Sequence, residues 1–207
     1  MKTLERILIV LLFLMPLSGK IFAQMDTIYI EKEECLSAGI YKGYKLIIHY
    51  KSDTLNIKAK VFDYKLDFLK AINDKMKLDV IGMLLNYQGD TTMCCLKVQH
   101  YSFNGNEGCR GKVENIIRYT IQVDALFIIN RLVWPKLMEL YSCSPILYDN
   151  KLKKEINSDQ KKIKVVFDAY KKWYAECRAK GRIPRYFPFN DGRYKWDGGR
   201  KSIIPKK

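Results

Sequence analysis

Few residues in this sequence belong to the types that common catalytic and metal sites require. Only two histidines, His49 and His100, occur in the chain, and neither has an acidic residue or a cysteine at a useful ligand spacing. The sequence contains no CxxC pair and no GxSxG, HExxH, P-loop or GxGxxG motif. We therefore predict no metal, no cofactor and no catalytic residue that the sequence alone identifies.

Long apolar runs without a charge are also scarce, and the clearest one lies at the N-terminus. A lysine and an arginine precede an uninterrupted apolar core at residues 7–15, and a proline and small residues follow it. This pattern is typical of a secretory signal peptide, and the run is shorter than the roughly 20 residues that span a bilayer. We predict a signal peptide at residues 1–23, cleavage after Ala23, and a periplasmic or secreted domain at residues 24–207 without a transmembrane segment.

A second apolar segment, residues 115–141, carries a polar or charged side chain every few positions. These interruptions are Arg118, Asp124, Asn130 and Arg131. Such side chains are costly inside a bilayer, so the segment favours a central core helix over a membrane span. Proline removes a backbone donor and clashes with the preceding turn, so we expect a break at Pro135.

All six cysteines lie after the predicted signal peptide. They are Cys35, Cys94, Cys95, Cys109, Cys143 and Cys177. Export to an oxidising compartment favours disulfide bonds, with free buried thiols as the alternative, and the sequence does not determine the pairing. Neighbouring side chains on a strand point to opposite faces, so we expect Cys94 and Cys95 to have different partners.

The excess of positive charge belongs to one end of the chain. Residues 24–150 contain 16 Lys or Arg against 15 Asp or Glu, a net charge of +1. Residues 151–207 contain 18 Lys or Arg against six Asp or Glu, a net charge of +12. The formal charge of +15 therefore describes a basic C-terminal region attached to a nearly neutral remainder.

Alternating hydrophobicity predicts a small sheet in the N-terminal half. Residues 55–61 alternate cleanly and residues 44–50 are rich in aromatic and β-branched side chains, so the two segments favour a hairpin. Apolar spacing predicts a helix over residues 64–76, and a third strand is plausible over residues 92–103. The predicted fold class is α+β: a small antiparallel sheet in the N-terminal half packed against several helices, in a single domain.

A well-marked helix begins the basic region. Ser158 is the candidate N-cap and Gly181 ends the pattern. One apolar stripe, predicted to pack on the core, consists of Ile163, Val166, Phe167, Tyr170, Trp173, Tyr174 and Cys177. Lys164, Lys171 and Arg178 follow one another at intervals of seven, so they form a ridge of cations that is either a binding surface or a solvated face.

The tail after this helix, RIPRYFPFNDGRYKWDGGRK, mixes aromatic residues, cations and turn residues. One interpretation is a strap whose aromatics dock into the core while its cations face water, and the other is a basic surface with aromatic platforms for a polyanion. The two can coexist, because cations on a docked strap still make a positive field. Nucleic acid is not expected as a partner of an exported protein without a known nucleic-acid motif. The candidate binding residues in the tail are Arg182, Arg185, Arg193, Lys195, Trp196 and Arg200.

The order of several segments resembles that of small secreted proteins of Gram-negative bacteria that have no assigned activity. The segments are a signal peptide ending in AQ, then IQVDALFIIN, SPILYDN, a lysine-rich aromatic helix ending at glycine, and a tail containing YKW. The resemblance covers residues 113–200. It implies an envelope location and carries no activity with it.

These observations favour a non-enzymatic exported binding protein whose basic C-terminal region engages an acidic partner. That partner is an envelope polyanion or an acidic protein, and an acidic toxin would make the chain an immunity-type inhibitor. Complementary charge suits such a role because it accelerates association and favours the correct partner. The alternative is an envelope hydrolase whose site is assembled only in the fold, for which a histidine beside a cysteine or a carboxylate pair in a pocket would be the sign.

Overall fold

The computed structural model describes ten stretches of the chain, so the predicted signal peptide, Arg185 and Arg200 lie outside the described residues. The described residues are 26–35, 42–52, 57–61, 64, 72–98, 118–134, 142–184, 187, 189–190 and 192–199. Within them, three helices and two small antiparallel sheets share one hydrophobic core. This arrangement confirms the predicted α+β class and the single domain.

The first sheet consists of β1 (Thr27–Cys35), β2 (Gly43–Ser52) and β3 (Ile57–Val61), in the order β1-β2-β3. Both pairings are antiparallel, and Ile48 of β2 lies opposite Val61 of β3. The predicted hairpin of β2 and β3 is therefore confirmed. Strand β1 was missed because its second half, EKEEC, carries consecutive charges that hide the alternation.

The first helix, α1 (Asp74–Leu85), begins later than the sequence predicts. Its N-cap is Asn73, whose side chain accepts a hydrogen bond from Met76 N at 3.0 Å. Tyr64 lies in a turn with φ 60°, which a helix does not allow. The prediction of a helix over residues 64–76 was therefore correct at residues 74–76 and wrong at Tyr64, Ile72 and Asn73. The N-cap has extended backbone, so the helix cannot begin before it. Residues 65–71 lie outside the described residues.

Helix α2 (Ile121–Val133) is the centre of the core. All but one of its residues are buried. The helix ends at Val133, and the next residue, Trp134, has φ −125° and ψ 55°, outside the helical region. Proline disfavours the helical conformation in the residue before it, so the break expected at Pro135 is confirmed at its N-terminal side. The polar interruptions Asp124, Asn130 and Arg131 are buried within the protein.

The predicted strand over residues 92–103 is reduced in its described part to two isolated bridges. Met93 pairs with Thr120 and Cys94 pairs with Tyr44. The close approach at this point requires Gly43, because a Cβ there would lie 2.5 Å from the carbonyl oxygen of Met93. Residues 99–103 lie outside the described residues.

Helix α3 (Gln160–Lys180) carries the basic region. Its N-cap is Asp159, one residue later than predicted, and the carboxylate accepts from Lys162 N at 3.1 Å. Gly181 ends the helix in the left-handed conformation, φ 62°, as predicted. The predicted apolar stripe is buried except for Tyr174, which is half-buried.

A second sheet, which the sequence reasoning missed, consists of β4 (Leu147–Asp149), β5 (Lys154–Glu155) and β6 (Tyr194–Trp196). Its order is β5-β4-β6, with both pairings antiparallel. Strands of two or three residues leave too short a pattern to recognise in a sequence. This sheet joins the tail to the chain segment that precedes α3.

Both predicted states of the cysteines, disulfide-bonded and free but buried, occur in the structure. Cys35 and Cys95 form a disulfide bond and Cys143 is also disulfide-bonded, whereas Cys94 and Cys177 are free and buried. Cys94 and Cys95 therefore have different environments, as their adjacency predicts. Disulfides are typical of proteins outside the cytoplasm. Among the described residues, no helix combines the length and the apolar character needed to cross a bilayer.

Candidate functional site

The tail packs into the core along its aromatic residues. Trp196 has no exposed surface, and its indole Nε1 donates to the hydroxyl of Tyr170 at 2.8 Å. The Tyr170 hydroxyl donates in turn to Asn130 Oδ1 at 2.6 Å, which connects the tail, α3 and α2. Trp196 was predicted as a binding residue; in the structure its ring is enclosed in the core and offers no surface to a ligand.

The glycine pair of the tail has a packing role. Gly198 has φ 65°, and a Cβ at this position would lie 2.5 Å from Cys143 Sγ. The neighbouring Asp197 donates its amide to Ile146 and accepts from the amide of Cys143. These contacts support the interpretation of the tail as a strap that closes over the core.

The predicted ridge of Lys164, Lys171 and Arg178 is exposed, but each cation has an intramolecular partner. The contacts are Lys164 Nζ to Asp168 Oδ2 at 2.8 Å, Lys171 Nζ to Gln88 Oε1 at 2.5 Å, and Arg178 Nη1 to Asp79 Oδ1 at 2.9 Å. Two of these partners belong to α1 or to the turn that follows it. The ridge therefore lies along the junction of α3 with α1, where its charges are partly neutralised.

The remaining predicted cations in the described tail differ in availability. Arg193 donates from Nε to Asp149 Oδ2 at 3.0 Å and its guanidinium lies 5.5 Å from the ring centre of Tyr194. Lys195 is half-buried and Arg182 is exposed. Arg193 thus fixes the second sheet, and Arg182 is the freer of these cations.

A basic segment that the sequence reasoning did not single out consists of the turn between β4 and β5 and the first residue of β5. Lys151, Leu152, Lys153 and Lys154 are four consecutive exposed residues, and we call them the basic tip. The side chain of Leu152 is 53% exposed. Lys153 has φ 49°, a conformation that glycine or asparagine adopts more easily than lysine. The sequence shows this segment as KLKK beside turn residues, but the same pattern is equally typical of a solvated loop.

Asp149 holds the basic tip in one conformation. This carboxylate has no exposed surface, and its Oδ1 accepts from Lys151 N at 3.0 Å and from Leu152 N at 3.1 Å. Its Oδ2 accepts from Arg193 and lies 3.5 Å from Lys162 Nζ, so the tip sits beside the first turns of α3. Desolvation acts to raise the pKa of Asp149, yet hydrogen bonds from Leu152 N and Arg193 outweigh it and hold the pKa below its usual value.

The outward face of α3 continues the positive surface. Lys161, Val165 and Lys172 share this face, since their spacing of four and seven residues returns to the same side of a helix. Asp168 lies on the same face and pairs with Lys164. Val165 is 51% exposed. Within the described part of the chain, no carboxylate pairs with Lys161, Lys172 or the three lysines of the basic tip.

The outer face of the first sheet brings together a second group of polar residues. His49 Nε2 lies 2.9 Å from Glu31 Oε2, and the imidazole stacks on Tyr29 with ring centres 4.5 Å apart. One ligand atom from each of Glu31, Glu33 and His49 lies within 4.8 Å of the others. Sequence spacing missed this group because its members come from two strands. Lys60 already forms an ion pair with Glu33, and its hydrogen bond to this carboxylate lowers the pKa of Glu33.

Two further features bear on the hydrolase alternative. A pocket of about 330 Å³ is lined by Tyr29, Ile30, Met83, Asn86 and Tyr87. The free thiol of Cys94 lies elsewhere, in the core near Asp124. Its burial, together with the negative charge of Asp124, raises the pKa of the Cys94 thiol well above the usual value. Cys94 is therefore a thiol at neutral pH, whereas a cysteine nucleophile acts as the thiolate.

Comparisons of the chain with protein families, with curated proteins and with solved structures find no match.

Proposed function

We propose that the chain is a non-enzymatic exported binding protein and that its basic C-terminal region engages an acidic partner. The observation that carries this proposal is the set of lysines on the basic tip and the outward face of α3 that lack an acidic partner among the described residues. Cations without local partners keep their full field for an approaching anion. The surface proposed to bind is therefore the basic tip with Lys161 and Lys172, and the ridge of α3 contributes less.

Rigidity supports this assignment. A flexible basic loop would lose conformational entropy on binding, whereas Asp149 already holds the tip through two backbone amides. The strap formed by Trp196 and its neighbours secures the adjacent strand β4 through β6. Binding at the tip therefore needs little ordering of the backbone.

The experiment is chromatography on immobilised heparin, used as a polyanion probe, with protein purified after export. We expect the wild-type protein to elute at high salt, and the variant with Lys151, Lys153 and Lys154 changed to Glu to elute at much lower salt. Screening makes such binding strongly dependent on ionic strength. Circular dichroism and the melting temperature check that the exposed substitutions leave the fold intact.

A matched control separates local from total charge. Lys58, Lys75 and Lys77 lie outside the basic region and form no ion pair in the described structure, so changing them to Glu alters the net charge by the same amount. The proposal predicts a small shift in elution for this control. Equal shifts for both triple variants would contradict it, because retention would then follow total charge alone.

A further inference from the structure

The basic tip combines charge with an exposed apolar side chain in a way that the proposed function does not explain. Leu152 is 53% exposed between lysines, and Asp149 fixes its backbone in that position. Simple attraction to a polyanion would need the lysines only. Exposed large apolar side chains are few in the described structure, and Val165 on the neighbouring α3 is another of them.

We propose that the acidic partner is the surface of an anionic phospholipid bilayer, with Lys151, Lys153 and Lys154 on the phosphate groups and Leu152 inserted among the headgroups. This inference rests on the proposed function and names its partner. Peripheral membrane proteins bind in this way, adding the burial of apolar side chains to electrostatic attraction. Val165 lies between Lys161 and Lys172 on the outward face of α3, and the acid of that face, Asp168, is paired with Lys164.

The chemistry of the tip favours a bilayer over an acidic protein. Protein interfaces are enriched in arginine, tyrosine and tryptophan and depleted in lysine, and the tip contains three lysines and neither arginine nor an aromatic residue. For a protein partner, a concave site near the tip would also be expected, into which a side chain of the partner could fit. The pocket found in the described part is lined by residues of β1, of α1 and of the turn after α1, and no residue of the tip lines it.

Expected magnitudes follow from general values. Each lysine near an anionic membrane surface strengthens binding about fivefold, so replacing all three should weaken it on the order of 100-fold. Partial burial of a leucine side chain should be worth about tenfold. The two contributions differ in their response to salt, since only the first is screened.

The test is co-sedimentation of the exported protein with vesicles of phosphatidylcholine containing phosphatidylglycerol, and with vesicles of phosphatidylcholine alone. We expect binding to the anionic vesicles, a loss on the order of 100-fold when Lys151, Lys153 and Lys154 become Gln, and a loss of about tenfold for Leu152→Ser. The variant with Lys58, Lys75 and Lys77 changed to Gln should bind like the wild type.

Insertion of the leucine has its own readout. The tryptophans Trp134, Trp173 and Trp196 are buried, so a Leu152→Trp variant would add one exposed indole. Anionic vesicles with brominated acyl chains should quench the added emission and leave the emission of the wild type nearly unchanged. Unquenched emission together with undiminished binding of Leu152→Ser would overturn insertion.

The outcome also separates this inference from the proposed function. If heparin retention depends on the tip while anionic vesicles are not bound, the basic surface stands and the lipid partner is wrong. Capture of an acidic protein by the wild type but not by the lysine variant, without vesicle binding, would assign the tip to a protein partner instead. If neither probe distinguishes the tip variant from its matched control, both proposals fail.

Discussion

The outer face of the first sheet and the basic tip with the outward face of α3 both carry many charges, but they use them differently. On the sheet, Lys60 pairs with Glu33 and His49 lies beside Glu31. On the tip, the lysines have no carboxylate partner in the described structure, and Asp149 at the start of the turn is occupied by backbone amides, Arg193 and Lys162. The comparison teaches that availability for a partner depends on what surrounds a cation and not on how many cations a segment has.

The same contrast exists within the basic region itself. Its inward side chains, such as Trp196 and Tyr170, form core contacts, while its outward lysines face solvent. The strap and the proposed binding surface are therefore compatible interpretations of the basic region, because the aromatic side chains point inward and the lysines outward. Changes on the inner side should therefore alter stability, and changes on the outer side should alter binding.

The largest expected effect comes from breaking the inner side. Trp196→Ala removes a fully buried indole and its hydrogen bond to Tyr170, so the free energy of unfolding should fall by about 3–5 kcal/mol. Urea denaturation measures this change. A loss below about 1 kcal/mol would mean that the tail contributes little to the core.

The sheet side should respond to loss of its disulfide. Changing Cys35 and Cys95 to Ser opens a cross-link between residues 60 positions apart, which constrains the unfolded chain by about 4 kcal/mol. We expect the melting temperature to fall while heparin retention at temperatures below melting stays unchanged. Reduced retention in the folded variant would show that the two regions are coupled.

Acid should act on the scaffold of the basic tip. The folded-state pKa of Asp149 is below its usual value, so its contribution to stability is present above the unfolded pKa, near 3.8, and is lost as the pH falls through the folded pKa. Asp149→Asn should lower the melting temperature at neutral pH and flatten the dependence of stability on pH below about 4. An unchanged acid profile in this variant would assign acid sensitivity to other carboxylates.

The smallest expected effect concerns the ridge of α3. Arg178 and Asp79 are both substantially exposed, and exposed ion pairs contribute between about 0 and 1 kcal/mol. Arg178→Ala should therefore change stability by less than about 1 kcal/mol and should reduce heparin retention less than Lys153→Ala does. A larger loss of retention for Arg178→Ala would move the binding surface to the ridge.

The sequence predicted secondary structure correctly where an element is long and its apolar spacing is regular. The hairpin of β2 and β3 and the stripe on α3 follow alternation and helical spacing. Gly181 marked the helix end because glycine adopts the left-handed conformation without steric cost. The start of α1 was missed because Asn73 caps the helix within a continuous apolar pattern. The short strands of the second sheet were missed because two or three residues carry no periodicity.

By itself, the sequence determined the α+β class, the position of the basic region and the predicted export signal, since these depend on composition and on spacing along the chain. Only the tertiary structure decided which of those cations have partners. In the folded chain Trp196 lies in the core and Arg178 pairs with Asp79. The buried Asp149 accepts a hydrogen bond from the amide of Leu152, whose side chain is exposed between lysines. Ion pairing and burial depend on distances between residues far apart in the chain, and a linear pattern contains no such distances.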